Sequence, residues 1–117
     1  MKKLLAVFLI CFSASALAQT KPAFSVAEIT FLDKTGYQND LFPKIKKLLT
    51  DADASVVVAG GQSQAIIGVH EAADSVTIVK FNSYEKAKAF YASEKYQELK
   101  RLSEKYVKIN LFIVEGE

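Results

Sequence analysis

Residues 76–91 read VTIVKFNSYEKAKAFY, and this stretch decides the fold. Val76 to Phe81 is rich in β-branched and aromatic residues and reads as a strand. Asn82 or Ser83 then offers the short polar side chain that caps a helix, with Glu85 in the first turn where the helix dipole favours a carboxylate. Tyr84, Ala87, Phe90 and Tyr91 follow at helical spacing and predict its inward side. Ser93-Glu94 restarts a helix after a break, Tyr96, Leu99 and Leu102 continue the apolar stripe to about Lys105, and Ile109 to Glu115 is a closing strand.

The same grammar holds upstream. Phe24 to Leu32 reads as a first strand, broken by Asp33-Lys34-Thr35-Gly36. Tyr37, Leu41, Ile45, Leu48, Leu49 and Ala52 then recur at helical spacing, with Lys44, Lys46 and Lys47 mostly on the other side. Pro43 is tolerated only near a helix start, which predicts a regular helix from Asn39 or Asp40. Ser55 to Ala59 is a second strand, and Gly60-Gly61 allows a bulge or bend before a short extended stretch, Gln64 to Val69. The order βαββαβ predicts an α+β, ferredoxin-like sandwich, an antiparallel sheet with two helices on one face. Val56-Val57-Val58, Ile78-Val79 and Leu111-Phe112-Ile113-Val114 are apolar on both sides of that sheet. The face away from the helices therefore needs a cover, and a second copy of the chain is the expected one, giving a homodimer.

The N-terminus has a different character. Lys2 and Lys3, an apolar run from Leu4 to Phe12, and Ala16-Leu17-Ala18 before Gln19 together predict a signal peptide, residues 1–18, cleaved after Ala18. The apolar run is shorter than the roughly 20 residues of a membrane-spanning helix. Cys11 follows Ile10, too large for a lipidation site, so a lipoprotein is the weaker reading. A periplasmic or secreted single domain, residues 19–117, is expected, with no membrane association after cleavage. Of 15 basic residues, Lys2 and Lys3 leave with the signal, so 13 face 13 acidic ones and nothing electrostatic favours nucleic acid. Met1 and Cys11 leave as well and tryptophan is absent throughout, which excludes thiol catalysis and Cys-based metal centres from the mature domain. Half of the 117 residues are hydrophobic and 24% are charged, enough for one modest core.

Ala59-Gly60-Gly61, the strand ending at Phe81, Ser83 opening a helix, Phe90-Tyr91-Ala92-Ser93-Glu94-Lys95-Tyr96-Gln97 and Val114-Glu115-Gly116 resemble the domain of unknown function 1330 family. The resemblance implies the dimeric α+β barrel superfamily, whose subunits pair through their sheets. Two positions depart from the pattern: Ser103 stands where such proteins often show an arginine, with Arg101 offset on the helix, and Asp53-Ala54 replaces a glycine pair.

Candidate site residues are few. Glu28 on the first strand and Lys80 on the third fall on adjacent central strands, where they would form either a catalytic pair in a cleft or a cross-strand salt bridge. His70, the only histidine, could act as acid, base or haem ligand, although Glu71 and Asp74 beside it fit a solvated loop better. Phe90, Tyr91 and Tyr96 could line an apolar pocket together with Glu28. No metal site and no cofactor is expected. The expected function is an exported homodimer binding a small apolar or aromatic molecule between sheet and helices. The alternative is a small cofactor-independent enzyme, an oxygenase or isomerase as the superfamily resemblance implies, using Glu28, Lys80 or His70.

Overall fold

The computed structural model describes residues 20–68 and 73–117. The expected signal peptide, Val69 and His70 lie outside them. Four strands form one antiparallel sheet: β1 (Ala23–Phe31), β2 (Ser55–Ala59), β3 (Ser75–Phe81) and β4 (Val107–Glu115), in the order β2-β3-β1-β4. An α turn, α1 (Lys34–Gly36), a π turn (Tyr37–Leu41) and a helix, α2 (Phe42–Asp51), connect β1 to β2. Two more helices, α3 (Tyr84–Ala92) and α4 (Glu94–Ser103), connect β3 to β4. This is the ferredoxin-like α+β arrangement that the βαββαβ pattern predicts.

The regular helix α2 begins at Phe42 and holds Pro43 in its first turn, as the proline argument requires, but helical turns precede it from Lys34. Asp33 caps these turns by accepting from the Gly36 amide at 3.0 Å, and the run widens just before it reaches the proline. The Phe42 amide donates to the Tyr37 carbonyl, five residues back, in a π turn. A proline ring clashes with the carbonyl four residues before it in an α-helix, here that of Asn39, and the wider turn is one way to keep the helix going. The turn sets Tyr37 and Leu41 into the core.

The second helical run is jointed at Ser93, as expected. Its hydroxyl donates to the Phe90 carbonyl at 2.7 Å, ending α3, and accepts from the Tyr96 amide at 3.2 Å, starting α4. The Gln97 side chain donates to the Tyr91 carbonyl at 2.8 Å and spans the joint. Ser83 caps α3 by accepting from the Lys86 amide at 3.1 Å.

Alternation in β1 sorts the two sheet faces. Ala23, Ser25 and Ile29 are buried beneath the helices, whereas Phe24, Val26 and Glu28 belong to the face that no helix among the described residues covers. Val58, Phe112 and Val114 are 37%, 53% and 48% exposed, so among the described residues this apolar sheet face is open. A register shift between Val56 and Val58 marks a bulge in β2, with Val57 exposed. The stretch expected to be extended at Gln64–Val69 joins no ladder over its described residues 64–68.

The departure at Asp53 has a physical reading. Its backbone lies in the left-handed region at φ 59°, which glycine adopts freely and aspartate tolerates. The Asp53 carboxylate accepts from Asn82 Nδ2 at 3.0 Å, a bond that a glycine would not make.

Candidate functional site

The helix-facing row of β1 begins with small side chains, Ala23, Ser25 and Ala27. Large aromatics stand over them: Phe81 and Phe90 with Tyr91 and Tyr96 toward one end of the sheet, Tyr37 with Phe31 and Phe42 toward the other. Between the two groups lies a cavity of about 50 Å³. Its walls include Ile29, Leu49, Val79 and Leu111, and its hydroxyls come from Ser25, Tyr37, Thr77, Tyr91 and Tyr96. That volume holds one or two water molecules.

Tyr91 and Tyr96 also line a larger groove of about 670 Å³, running between α4 and the outer edge of β4. Leu32, Val107, Ile109 and Leu111 contribute its apolar part, and Gln97, Lys100, Ser103, Glu104 and Lys108 its polar part. Cavity and groove thus share the two tyrosines and Ile109 and Leu111.

The tyrosines are rigidly placed. The Tyr91 hydroxyl donates to Ser25 Oγ at 2.6 Å, and Ser25 is 1% exposed. Its ring meets Tyr96 edge-on, centroids 4.8 Å apart at 89°, and Phe90 edge-on at 4.9 Å. Burial pushes the Tyr91 phenol up to about 12, reinforced by Tyr96 and opposed by the Ser25 hydroxyl. Burial likewise raises Tyr96, and raises Tyr37 against the opposing hydrogen bond to Thr77. At neutral pH these phenols are uncharged and serve as hydrogen-bonding groups in an apolar setting.

The other end of the groove is braced at the β1 exit. The amides of Leu32 and Asp33 both donate to the Tyr106 carbonyl, at 2.8 and 3.0 Å. Tyr106 Oη donates to Asp40 Oδ2 and Lys44 Nζ to Asp40 Oδ1, both at 2.7 Å. Lys44 and Tyr106 hold the Asp40 carboxyl below its usual range, and Asp40 in turn raises Tyr106. Gly36 packs against the Tyr106 ring, where a β-carbon would collide.

Of the residues singled out in the sequence, Phe90, Tyr91 and Tyr96 are brought together at the cavity, as expected. Glu28 and Lys80 are not. Their strands are adjacent, but Glu28 stands opposite Val76 and Lys80 opposite Phe24. Four positions along one strand separate them by about 13 Å. Both share the sheet face turned away from the helices, so neither belongs to the tyrosine cavity and the proposed pair does not form. His70 lies outside the described residues. Among the described residues no group of three or more His, Cys, Asp or Glu side chains could hold a metal ion, and no helix is long and apolar enough to cross a membrane.

Ser25, Tyr37 and Thr77 are site residues that the sequence reading missed. The available signal was the run of small residues at alternate positions of β1, Ala23, Ser25 and Ala27, which announces space above the sheet. Tyr37 read as one core position among several, because the π turn that aims it was not foreseen.

Comparison with solved structures places the architecture among known ones. A protein of unknown function from Rhodopseudomonas palustris superposes with a TM-score of 0.61 at 17% identity, covering 100% of this chain and 94% of its own. A cofactor-independent oxygenase from Streptomyces nogalater gives 0.57 at 8% identity over 84% of this chain and 95% of its own. A dimeric protein of unknown function with a ferredoxin-like fold from Bacteroides fragilis gives 0.52 at 9% identity over 82% and 95%. At such identities the likeness is one of fold. No protein of curated function matches the sequence. Residues 22–117 match a family model, and the chain belongs to that family, the domain of unknown function DUF1330.

Proposed function

We propose that the protein is an exported homodimer that binds a small planar apolar or aromatic molecule in the groove between α4 and β4, with one edge against Tyr91 and Tyr96. The observation that carries this reading is that a hydroxyl-bearing cavity and a partly apolar groove share those two tyrosines. The cavity alone is too small for an aromatic ring, so the groove takes the body of the ligand and the cavity hydroxyls meet its polar edge. The homodimer is supported by the open apolar sheet face and by a fold neighbour described as dimeric. Export is supported by the sequence of residues 1–18.

The chain has five tyrosines and no tryptophan, so its intrinsic fluorescence is that of tyrosine, and two of the five line the groove. Titration with 2-naphthol is expected to give saturable quenching that Tyr96→Ala weakens at least about tenfold, a loss of about 1.4 kcal/mol. Quenching that is linear to about 1 mM, or saturable and unaffected by Tyr96→Ala, overturns the assignment. N-terminal sequencing of the protein from a periplasmic fraction is expected to begin at Gln19.

The shared fold with a cofactor-independent oxygenase supports a second, enzymatic reading. Glu28 and Lys80 face away from the cavity, so that chemistry would fall to the phenols and to Glu104, a carboxylate lining the groove. Substrate-dependent oxygen consumption that Glu104→Gln abolishes would establish it, and its absence across phenolic substrates would remove it.

A further inference from the structure

The groove beside the two tyrosines has unlike walls. Tyr96, Gln97, Lys100, Ser103 and Glu104 line it from α4 and its C-cap. Their spacing, i, i+1, i+4, i+7 and i+8, is that of one helix face, and every member carries a polar group. Val107, Ile109 and Leu111 line it from β4, at alternate positions and so on one strand face, and all three are apolar. A molecule that fits between such walls lays an apolar body on the strand and turns its polar groups toward the helix.

Those polar groups differ along the groove. Tyr96 shares its end with the cavity, where Tyr91, Ile109 and Leu111 stand. The Tyr91 hydroxyl donates to Ser25, whereas the Tyr96 hydroxyl has no hydrogen-bond partner among the described residues. The groups at this end are neutral and meet a ligand by hydrogen bonding alone. The far end is charged. Lys100 follows Tyr96 by one helical turn, about 6 Å along the axis. Lys108 precedes Leu111 by three strand residues, about 10 Å. Lys108 alternates to the other face of β4 and lines the groove from the strand's outer edge. Glu104 completes this end, so two ammonium groups face one carboxylate there. All three residues are exposed, and among the described residues none of them forms an ion pair.

We propose that the ligand of this groove is an aromatic monocarboxylate, with a hydrogen-bonding edge at Tyr96 and its carboxylate at Lys100 and Lys108. The inference rests on the small-molecule reading above and names the chemical class of that molecule. Three observations select it. The apolar strand wall between the two ends selects the rings. The surplus of one positive charge selects a single carboxylate, since a second would meet Glu104 unpaired. The separation of about 6–10 Å between the tyrosine end and the ammonium groups puts the carboxylate at the opposite end of the ring system from the hydroxyl. Water reaches both lysines, so the charge term sharpens selection by about tenfold rather than by thousands.

Isothermal titration calorimetry at neutral pH with 2-naphthol, 6-hydroxy-2-naphthoate and 3-hydroxy-2-naphthoate tests this. The 6-hydroxy isomer carries its hydroxyl and carboxylate at opposite ends of two fused rings, and the 3-hydroxy isomer carries them side by side. The 6-hydroxy isomer should bind at least about fivefold more tightly than 2-naphthol, and the 3-hydroxy isomer less than about twofold more tightly. Replacing Lys100→Gln and Lys108→Gln together should bring the preference for 6-hydroxy-2-naphthoate over 2-naphthol close to one. Lys95→Gln, at an exposed lysine of α4 outside the groove, should keep that preference. All three lysines are exposed, so the fold is expected to survive, as far-UV circular dichroism checks. Equal affinity for 2-naphthol and 6-hydroxy-2-naphthoate, or a preference that outlasts the double replacement, overturns the carboxylate assignment and leaves the small-molecule reading standing. A preference that Lys95→Gln also removes is general attraction to a basic surface and overturns it as well. A 3-hydroxy isomer that binds as tightly as the 6-hydroxy isomer overturns the placement of the carboxylate. Three probes that all fail to bind overturn both readings.

Discussion

Tyr91→Phe removes one oxygen atom and is expected to expose how the site is held together. The ring remains, with its edge-on contacts to Phe90 and Tyr96 at 4.9 and 4.8 Å. What disappears is the 2.6 Å hydrogen bond to Ser25, whose hydroxyl is left behind in a residue only 1% exposed. A net hydrogen bond contributes about 1 kcal/mol, and a buried polar group without a partner costs about 1–3 kcal/mol. Tyr91→Phe should therefore destabilise by about 1–3 kcal/mol, or several degrees in melting temperature for a domain of this size, at about 4–8 °C per kcal/mol. Ser25→Ala alone leaves the Tyr91 phenol beside the groove, where water can reach it, and should cost less.

The decisive quantity is the coupling. With both residues replaced no polar atom is stranded, so the double variant should be more stable than the sum of the single effects implies by about 1 kcal/mol. Urea unfolding at one fixed protein concentration measures it, since a dimer's apparent stability depends on concentration. Additivity within about 0.3 kcal/mol would refute the reasoning and mean that Ser25 is satisfied by something other than Tyr91.

Three further outcomes are expected. Tyr91 ionises near pH 12 when folded and near 10.0 when unfolded, so its contribution is intact below pH 10 and falls as pH rises toward 12, by about 2–3 kcal/mol in all. Urea midpoints at pH 9 and 11 should drop further for the wild type than for Tyr91→Phe, and equal drops would contradict the shift. At position 53, held at φ 59°, Asp53→Ala should destabilise by about 1 kcal/mol or more while Asp53→Gly stays near the wild type; thermal melts giving alanine the better score would remove the backbone argument. Ala27→Val should fill part of the 50 Å³ cavity and change stability by less than about 1 kcal/mol while weakening 2-naphthol quenching; full binding by the variant would mean that the cavity takes no part in the ligand site.

What could be read from the sequence was local. Ser83 and Ser93 are visible as caps because their chemistry acts within three residues, and both act as expected. The strand order followed from the alternation of elements. Register did not, because it depends on pairing between distant segments, and register is what separates Glu28 from Lys80. Parity along β1 and β3 shows only that two residues share a face, not whether they stand side by side. Pro43 does stand in the first turn of the regular helix, as the rule for α-helices requires; what the rule could not show is the wider turn before it, which tertiary packing of Tyr37 and Leu41 supports.

The aromatic segment on which the family resemblance rests gains a physical meaning from the structure. Ser93 breaks the helix, Gln97 clamps the break onto the Tyr91 carbonyl, and the break turns Tyr91 and Tyr96 edge to face above Ser25. A continuous helix would place residues five apart on different turns and faces. The motif thus builds a joint whose product is a pair of fixed phenols at the mouth of a cavity. Its counterpart on the sheet is the small-residue row of Ala23, Ser25 and Ala27. Larger side chains at Ser25 and Ala27 would bury more apolar surface and stabilise a purely structural domain. A chain selected only for stability has no need for this combination of a jointed helix, rigid phenols and an under-filled sheet row. Together they are the strongest argument that the cleft exists to be occupied.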